Sequence, residues 1–269
     1  MQTNLEKPQT KKYLVFSILG IGFVMLAANL AGQEITSLTT NLLLVPLPGT
    51  LVVLSIIIAA RFSAAGEHGR AWLLFVGLAA SWFTAEQIWL VYDLVYKTDP
   101  FPSMADIFYL AGYPFLFLFS IYYLKPLKEA ISKKTIICAS FAAIALLTPS
   151  LYMAYDTDSE ISTFELVLAL SYPIADAIVL VPALIGVILF FKGEVNFLWS
   201  LVCLAIVLNV VADTGFLITS MDDSYYTGHP IDILYLWSYI LFSFGVYSHI
   251  QIFKRHRPNT KSQCLDDLR

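Results

Sequence analysis

Eight apolar runs, each about twenty residues or longer, limit how this chain can fold, because a helix of that length crosses the hydrocarbon core of a bilayer. They lie at residues 13–31, 41–62, 71–96, 103–124, 134–155, 163–191, 196–220 and 230–253. With 58% hydrophobic and 13% charged residues, the chain also has too few charges to cover a soluble protein of 269 residues. We therefore predict an all-α, polytopic membrane helical bundle with eight transmembrane helices. Its main partner is the lipid bilayer, and nothing favours a nucleic-acid partner.

Basic residues are segregated along the chain, which predicts its orientation. With the amino terminus placed in the cytoplasm, fifteen of the sixteen Lys and Arg residues fall in cytoplasmic segments, and Lys97 alone falls outside. Such an excess is the positive-inside pattern of membrane proteins. We predict a multi-pass protein of the cell (plasma) membrane with both termini in the cytoplasm. Residues 1–12 form an amino-terminal segment, 13–253 the transmembrane domain and 254–269 a basic tail.

The first apolar run leaves two interpretations open. Lys11 and Lys12 precede it and it ends in mostly small residues, as in a secretory signal peptide. Cleavage would leave seven spans, and the charge pattern fits that arrangement as well. We favour a retained helix, because an internal repeat requires it.

One pattern, D-I-x-Y-L-x-x-Y, occurs twice, at residues 106–113 and 232–239. Each copy follows a proline, Pro102 or Pro230, and opens an apolar run. Internal repeats are a common way to build multi-pass membrane proteins. We predict two copies of one four-helix unit, at about 13–124 and 134–253. Because each copy has an even number of spans, the two run parallel through the membrane.

Seven acidic residues lie within or at the rim of the apolar runs, and no Lys or Arg lies deep in a run to neutralise them. An ionisable group in a span is costly unless it faces a cavity, a partner or the bundle interior, so it marks a possible functional site. Six are predicted to bind a ligand or a proton: Glu86, Asp93, Asp106, Asp176, Asp213 and Asp232.

Each acid also has a structural alternative. Ser103 and Asp106 have the spacing of a capping box, and Asp232 falls in a first helical turn, where an acid complements the helix dipole. For the deeper acids, the alternative is a protonated carboxyl group that is hydrogen-bonded to a neighbouring helix.

Aromatic residues accompany these acids along the chain. The ones we place in the site are Trp82, Trp89, Tyr92, Tyr109, Tyr113, Tyr172, Tyr235, Trp237 and Tyr239. Aromatic faces beside carboxylates suit an organic cation, so we predict an outward-facing acidic, aromatic-lined pocket between the two halves. The alternative is an interfacial belt, which Trp and Tyr form near span ends in most membrane proteins.

Several other kinds of site have no support in the sequence. No Lys lies mid-span for a retinal Schiff base, and the four His residues are too scattered for haem or for an H-E-x-x-H site. Cys138, Cys203 and Cys264 lack zinc-ligand spacing. Phosphate loops and the G-x-S-x-G motif are absent. We predict no enzyme activity and no cofactor, and leave metal binding open.

The stretch at 102–114, P-S-M-A-D-I-F-Y-L-A-G-Y-P, resembles the P-S-x-A-D-x-x-Y-L-x-x-Y-P stretch of a known family. That family is the multi-pass amino-terminal region of many bacterial diguanylate cyclases and cyclic-di-GMP phosphodiesterases. Further similar positions are Y-P-I-A-D at 172–176 and Ala212, Asp213, Tyr226, Gly228, Asp232 and Leu236. The resemblance covers residues 71–249 at the level of pattern and implies a membrane sensor that signals to a cytoplasmic output domain.

The sequence departs from this family after Phe253, where sixteen residues follow without a G-G-D-E-F or E-A-L signature. We therefore expect that the chain neither makes nor degrades cyclic-di-GMP. Any signal is expected to pass to a separate partner protein.

Three functions remain open. The first is a stand-alone binding or sensory module, in which a cation, a proton or another small ligand enters between the halves from outside. The second is a cation- or proton-coupled transporter or channel, which also needs access from the cytoplasm. The third is an accessory structural subunit of a membrane complex. The small number of acids in the inner halves of the spans favours the first.

Overall fold

The computed structural model of the chain describes residues 8–62, 66–155, 163–191 and 197–255. Within these ranges the fold is helical and contains no strand. The helices are α1 Pro8–Ala31, α2 Gln33–Leu43, α3 Pro46–Ala59, α4 Glu67–Leu90, α5 Met104–Leu124, α6 Lys133–Tyr155, α7 Thr163–Phe191, α8 Phe197–Met221 and α9 Asp232–Arg255. A π-helical segment, Val91–Tyr96, continues α4, and a short 3-10 turn, Lys125–Leu127, follows α5.

Eight helical stretches in the described ranges are long and apolar enough to cross a membrane, which confirms the prediction of an all-α bundle with eight such helices. Large apolar side chains cover its outside. Phe16, Phe23, Phe141 and Phe191, for example, are each at least 70% exposed. A surface of this kind is stable against lipid and would be an association hazard in water.

The second stretch differs from its predicted bounds. The sequence predicts a single helix at 41–62, whereas α2 and α3 together cover Gln33–Ala59. Pro46 begins α3, since proline fits a first helical turn but has no N–H to continue the hydrogen bonds of the helix before it. The apolar pattern missed α2 because its buried face is polar, formed by Thr36, Thr40 and Asn41.

Antiparallel neighbours build the bundle: α4 packs against α5, and α8 against α9. Further contacts join α3 to α4, α1 and α3 to α9, and α5 to α7. Glycines allow close approach between helices, as where Gly112 of α5 lies against the Trp82 indole of α4. The fully buried aromatic side chains of the core include Trp72, Phe75, Phe119 and Phe242.

The connections 97–103 and 222–231 lie side by side at one end of the bundle, which we call the hairpin end. The Trp89 indole N–H donates a hydrogen bond to Oγ1 of Thr227 (3.2 Å). Phe101 packs edge-on against Phe216, with ring centroids 6.0 Å apart. Each connection thus contacts a helix of the other hairpin, so both turns lie at the same end of the bundle.

Helix α1 packs against α9 and against the 222–231 connection. Trp237 donates its indole N–H to the Ile18 carbonyl (3.0 Å), and its ring covers Gly22. The Asn29 amide donates to the Gly228 carbonyl (3.1 Å) and accepts from the Tyr226 hydroxyl (2.8 Å). The first apolar run is therefore part of the bundle in this structure.

Candidate functional site

A cavity of about 300 Å³ lies at the hairpin end, with walls from α4, α5, α7, α8 and α9. Its acidic lining residues are Glu86, Asp99, Asp106, Glu165, Asp213, Asp223 and Asp232. Its aromatic lining residues are Trp82, Trp89, Phe101, Tyr109, Tyr113, Tyr172, Phe216, Tyr225, Tyr235 and Tyr239. Among the described residues, no Lys, Arg or His lines it. The cavity therefore combines acidic side chains, without a basic one among the described lining residues, with aromatic walls.

Most of the residues predicted from the sequence meet at this cavity. Those that line it are Glu86, Asp106, Asp213, Asp232, Trp82, Trp89, Tyr109, Tyr113, Tyr172, Tyr235 and Tyr239. Asp176 is buried behind the wall, where its Oδ1 accepts a hydrogen bond from the Tyr113 hydroxyl (2.8 Å).

Tyr92, Asp93 and Trp237 do not line the cavity. Asp93 accepts hydrogen bonds from Ser37 and Asn41 (2.6 Å each) and so ties the π-helical segment to α2. Tyr92 packs edge-on against Tyr96 in the same segment. Trp237 contacts α1 on another face of α9.

Glu86 of α4 is held by tyrosines from two other helices. Its Oε1 accepts a hydrogen bond from the Tyr239 hydroxyl of α9 (2.7 Å). Its carboxyl group also hydrogen-bonds with Tyr109 of α5. The side chain is 6% exposed, so these phenols replace most of its contact with solvent.

Asp213 of α8 has a similar environment. Its Oδ1 accepts a hydrogen bond from the Tyr235 hydroxyl of α9 (2.6 Å). Its Oδ2 accepts from the Tyr113 hydroxyl of α5 (3.0 Å) and from the Asn209 amide one helical turn earlier (2.8 Å). Three donors are thus directed at one carboxyl group.

The two copies of D-I-x-Y-L-x-x-Y make matching contacts. The first tyrosine of each copy, Tyr109 or Tyr235, bonds the acid on the helix before it, Glu86 or Asp213. The second tyrosine, Tyr113 or Tyr239, bonds the acid of the other half of the chain. Positions three and seven residues after the motif Asp share a helix face, which is why one motif can reach both acids.

The motif aspartates Asp106 and Asp232 fix helix starts and also face the cavity. Ser103 and Asp106 form the predicted capping box, in which Asp106 Oδ2 accepts from the Ser103 N–H (2.7 Å). Its Oδ1 accepts from the Tyr172 hydroxyl of α7 (2.6 Å). Asp232 Oδ2 accepts from the Gly228 N–H (2.7 Å) at the first turn of α9. The structural interpretation of these acids and their place in the site are therefore compatible.

Sequence reasoning missed three aromatic cavity residues, Phe101, Phe216 and Tyr225. Tyr225 lies in a connection, outside any apolar run, and its hydroxyl contacts both carboxyl oxygens of Asp232 (3.2 Å each). Burial raises its pKa well above the ordinary value. Phe216 follows Asp213 by three residues, as Trp89 follows Glu86, and that parallel spacing is the pattern that could have identified it.

Two further titratable groups border the hairpin end. Burial lowers the pKa of His229 below its ordinary value of 6.5. The Ser224 hydroxyl donates a hydrogen bond to Asp222 and holds the pKa of that exposed carboxyl group below its usual range. At neutral pH this rim is therefore neutral at His229 and negative at Asp222.

The arrangement is suited to binding positive charge. Within the described ranges, no group of three or more His, Cys, Asp or Glu side chains is placed to hold a metal ion. Carboxylates among aromatic faces attract an organic cation through charge and through the ring quadrupoles. No protein-family model matches the chain, and comparisons with curated proteins and with solved structures give no match.

Proposed function

We propose that this protein is a membrane binding or sensory module whose cavity takes up a small organic cation from outside the cell. The observation that carries the proposal is a cavity of about 300 Å³ with seven acids, ten aromatic side chains and, in the described part of the chain, no basic residue. An ammonium group there would gain both carboxylate and cation–π contacts. Uncharged ligands of the same shape would gain neither.

In the proposed topology, two four-helix halves run parallel through the membrane. Both termini and most basic residues lie in the cytoplasm. Tyr109 and Tyr235 make equivalent contacts in the two halves, and so do Tyr113 and Tyr239. These equivalent contacts support a repeat. The single outer Lys97, beside the hairpin end, supports placing the cavity mouth outside. The resemblance to membrane sensor regions agrees with a signal that passes to a separate partner protein.

The opposite end of the bundle supports a one-sided site rather than a transport path. There the rings of Tyr123 and Trp199 stack with centroids 4.1 Å apart, and Trp72 packs edge-on against Tyr123. The Tyr123 hydroxyl lies 2.7 Å from Nε2 of His249, which is 5% exposed. A cation that crossed the bundle would have to separate these packed rings.

Calorimetric titration of the protein in lipid nanodiscs tests the proposal. The probes are choline, 1,4-diaminobutane and 3,3-dimethylbutan-1-ol, which has the shape of choline without its charge. We expect at least one cation to bind and the alcohol not to bind. Glu86→Gln or Asp213→Asn should weaken that binding by about tenfold or more, which corresponds to about 1.4 kcal/mol.

The exposed Glu34 on α2, which does not line the cavity, provides the control substitution Glu34→Gln, which should leave the affinity unchanged. The proposal is wrong if neither cation binds, if the alcohol binds as tightly as choline, or if the cavity variants bind like the control. If a bound cation crosses the membrane through the protein in sealed liposomes, the site is not one-sided and the protein is a transporter or channel instead.

A further inference from the structure

Three groups, Asp176, Tyr113 and Asp213, link α7, α5 and α8 at the cavity wall. The Tyr113 hydroxyl oxygen lies 2.8 Å from Oδ1 of Asp176 and 3.0 Å from Oδ2 of Asp213. Asp176 is 3% exposed and Tyr113 is 6% exposed. Asp176 is thus closed off from bulk water, whereas Tyr113 and Asp213 also face the cavity.

When both acids are charged, this site has one hydrogen fewer than its two short contacts require. A phenol has a single hydroxyl hydrogen and donates it to one acceptor at a time with good geometry. The other short contact of Tyr113 would then bring two acceptor oxygens together without a hydrogen between them. One additional proton on either carboxyl group removes this conflict.

The remaining contacts indicate which acid holds the proton. Asp213 accepts from Tyr235 (2.6 Å) and from Asn209 (2.8 Å) in addition to Tyr113, and such donors stabilise a charged carboxylate. Within the described ranges, the only side-chain donor that contacts Asp176 is the Tyr113 hydroxyl. We propose that Asp176 is a proton-binding site, whose carboxyl group is protonated at neutral pH and donates to the Tyr113 hydroxyl, which in turn donates to the charged Asp213.

The groups that face this site from the surrounding helices do not supply a positive charge in place of the proton. They are Glu86 of α4, Tyr172 of α7, and Tyr235 and Tyr239 of α9. Helix α6, which also packs against α7, carries Tyr152 on its surface at 65% exposure. Loss of the proton would leave two carboxylates around one hydroxyl and would weaken the link between α5 and α7.

Infrared spectroscopy of the protein in nanodiscs tests the assignment, because the C=O stretch of a protonated carboxyl group is resolved from that of a carboxylate. At pH 7 exposed aspartates, with pKa values of about 4, are ionised and do not contribute to this band. We expect Asp176→Asn to remove the absorbance of one protonated carboxyl group. Asp222→Asn is the matched control, since Asp222 is exposed and its pKa is lowered, and it should leave the band unchanged.

Tyr113→Phe provides a second test that preserves the size of the side chain. The proton on Asp176 loses its phenol partner, so the band should keep its area and shift in frequency. The assignment is overturned if Asp176→Asn has the same band as the Asp222→Asn control. If Asp176→Asn does not fold, an unshifted band in Tyr113→Phe overturns it instead. No added ligand is involved, so this result is independent of the cation titration.

Discussion

Replacing Gly112 with alanine tests how closely α4 and α5 approach at the cavity. A Cβ atom at Gly112 would lie 2.5 Å from Cδ1 of Trp82, and closer still to its Nε1, whereas real Cβ contacts are essentially never under 3.0 Å. Trp82 is 3% exposed and packs edge-on against the rings of Tyr113, Tyr239 and Phe242. These rings hold the indole in place, and it can move away from Gly112 only by giving up this packing.

The expected loss of stability has two parts. Overpacking of a filled core costs about 1 to 3 kcal/mol. Displacing the indole also breaks its hydrogen bond to the Tyr109 carbonyl (3.2 Å), which costs about 1 kcal/mol more. The sum of about 2 to 4 kcal/mol corresponds to a roughly 30- to 1,000-fold change in the unfolding equilibrium.

Equilibrium unfolding in mixed micelles with a denaturing detergent, followed by circular dichroism, measures this loss. Gly20→Ala is the control, because no atom lies within 4 Å of a Cβ atom at that exposed position of α1. Gly77→Ala should fall between the two, since its Cβ atom would lie 3.0 Å from the movable ring of Phe115. If Gly112→Ala is as stable as Gly20→Ala, the close packing of α4 on α5 described above is incorrect.

Two further predictions concern the 222–231 connection. Gly228 has a φ of +92°, and a Cβ atom there would lie 2.9 Å from the Thr36 backbone carbonyl. Gly228→Ala should therefore cost about 1 to 3 kcal/mol in the same assay, and a loss no larger than that of Gly20→Ala would contradict this. The pKa of His229 lies below 6.5 because of burial, and its Nδ1 accepts a hydrogen bond from the Ile231 N–H. Since unfolding then takes up a proton, the free energy of unfolding should fall as the pH drops below 6.5. His229→Gln should reduce this fall between pH 7 and pH 5. If the variant shows the same dependence of stability on pH, His229 is not its source.

The fold could be predicted from the sequence where it depends on the length of the apolar runs. The eight membrane-length helices follow from the number of apolar residues that a bilayer requires. Helix α2 was missed because Thr36, Thr40 and Asn41 are buried against other helices rather than against lipid. Burial of that kind leaves no apolar run, so it becomes visible only when the packing of the helices is known.

The limits of the site prediction can be traced to helix geometry. Tyr235 and Tyr239 follow Asp232 by three and seven residues and share its face, whereas Trp237 follows by five and lies on another face. Helical spacing alone could have excluded Trp237. Asp93 follows Glu86 by seven residues, but the π-helical segment that begins at Val91 changes the rotation of the chain and turns Asp93 toward α2.

The crossed contacts of the two motifs connect ligand binding to the packing of the two halves in the proposed function. Tyr113 bonds Asp213 and Tyr239 bonds Glu86, so each half contributes a hydroxyl to the acid of the other. A cation that bound these carboxylates would compete with both hydroxyls at once. Its affinity would then differ between an arrangement with the crossed bonds intact and one with them open. A ligand shifts the balance between two such arrangements only through a difference of this kind.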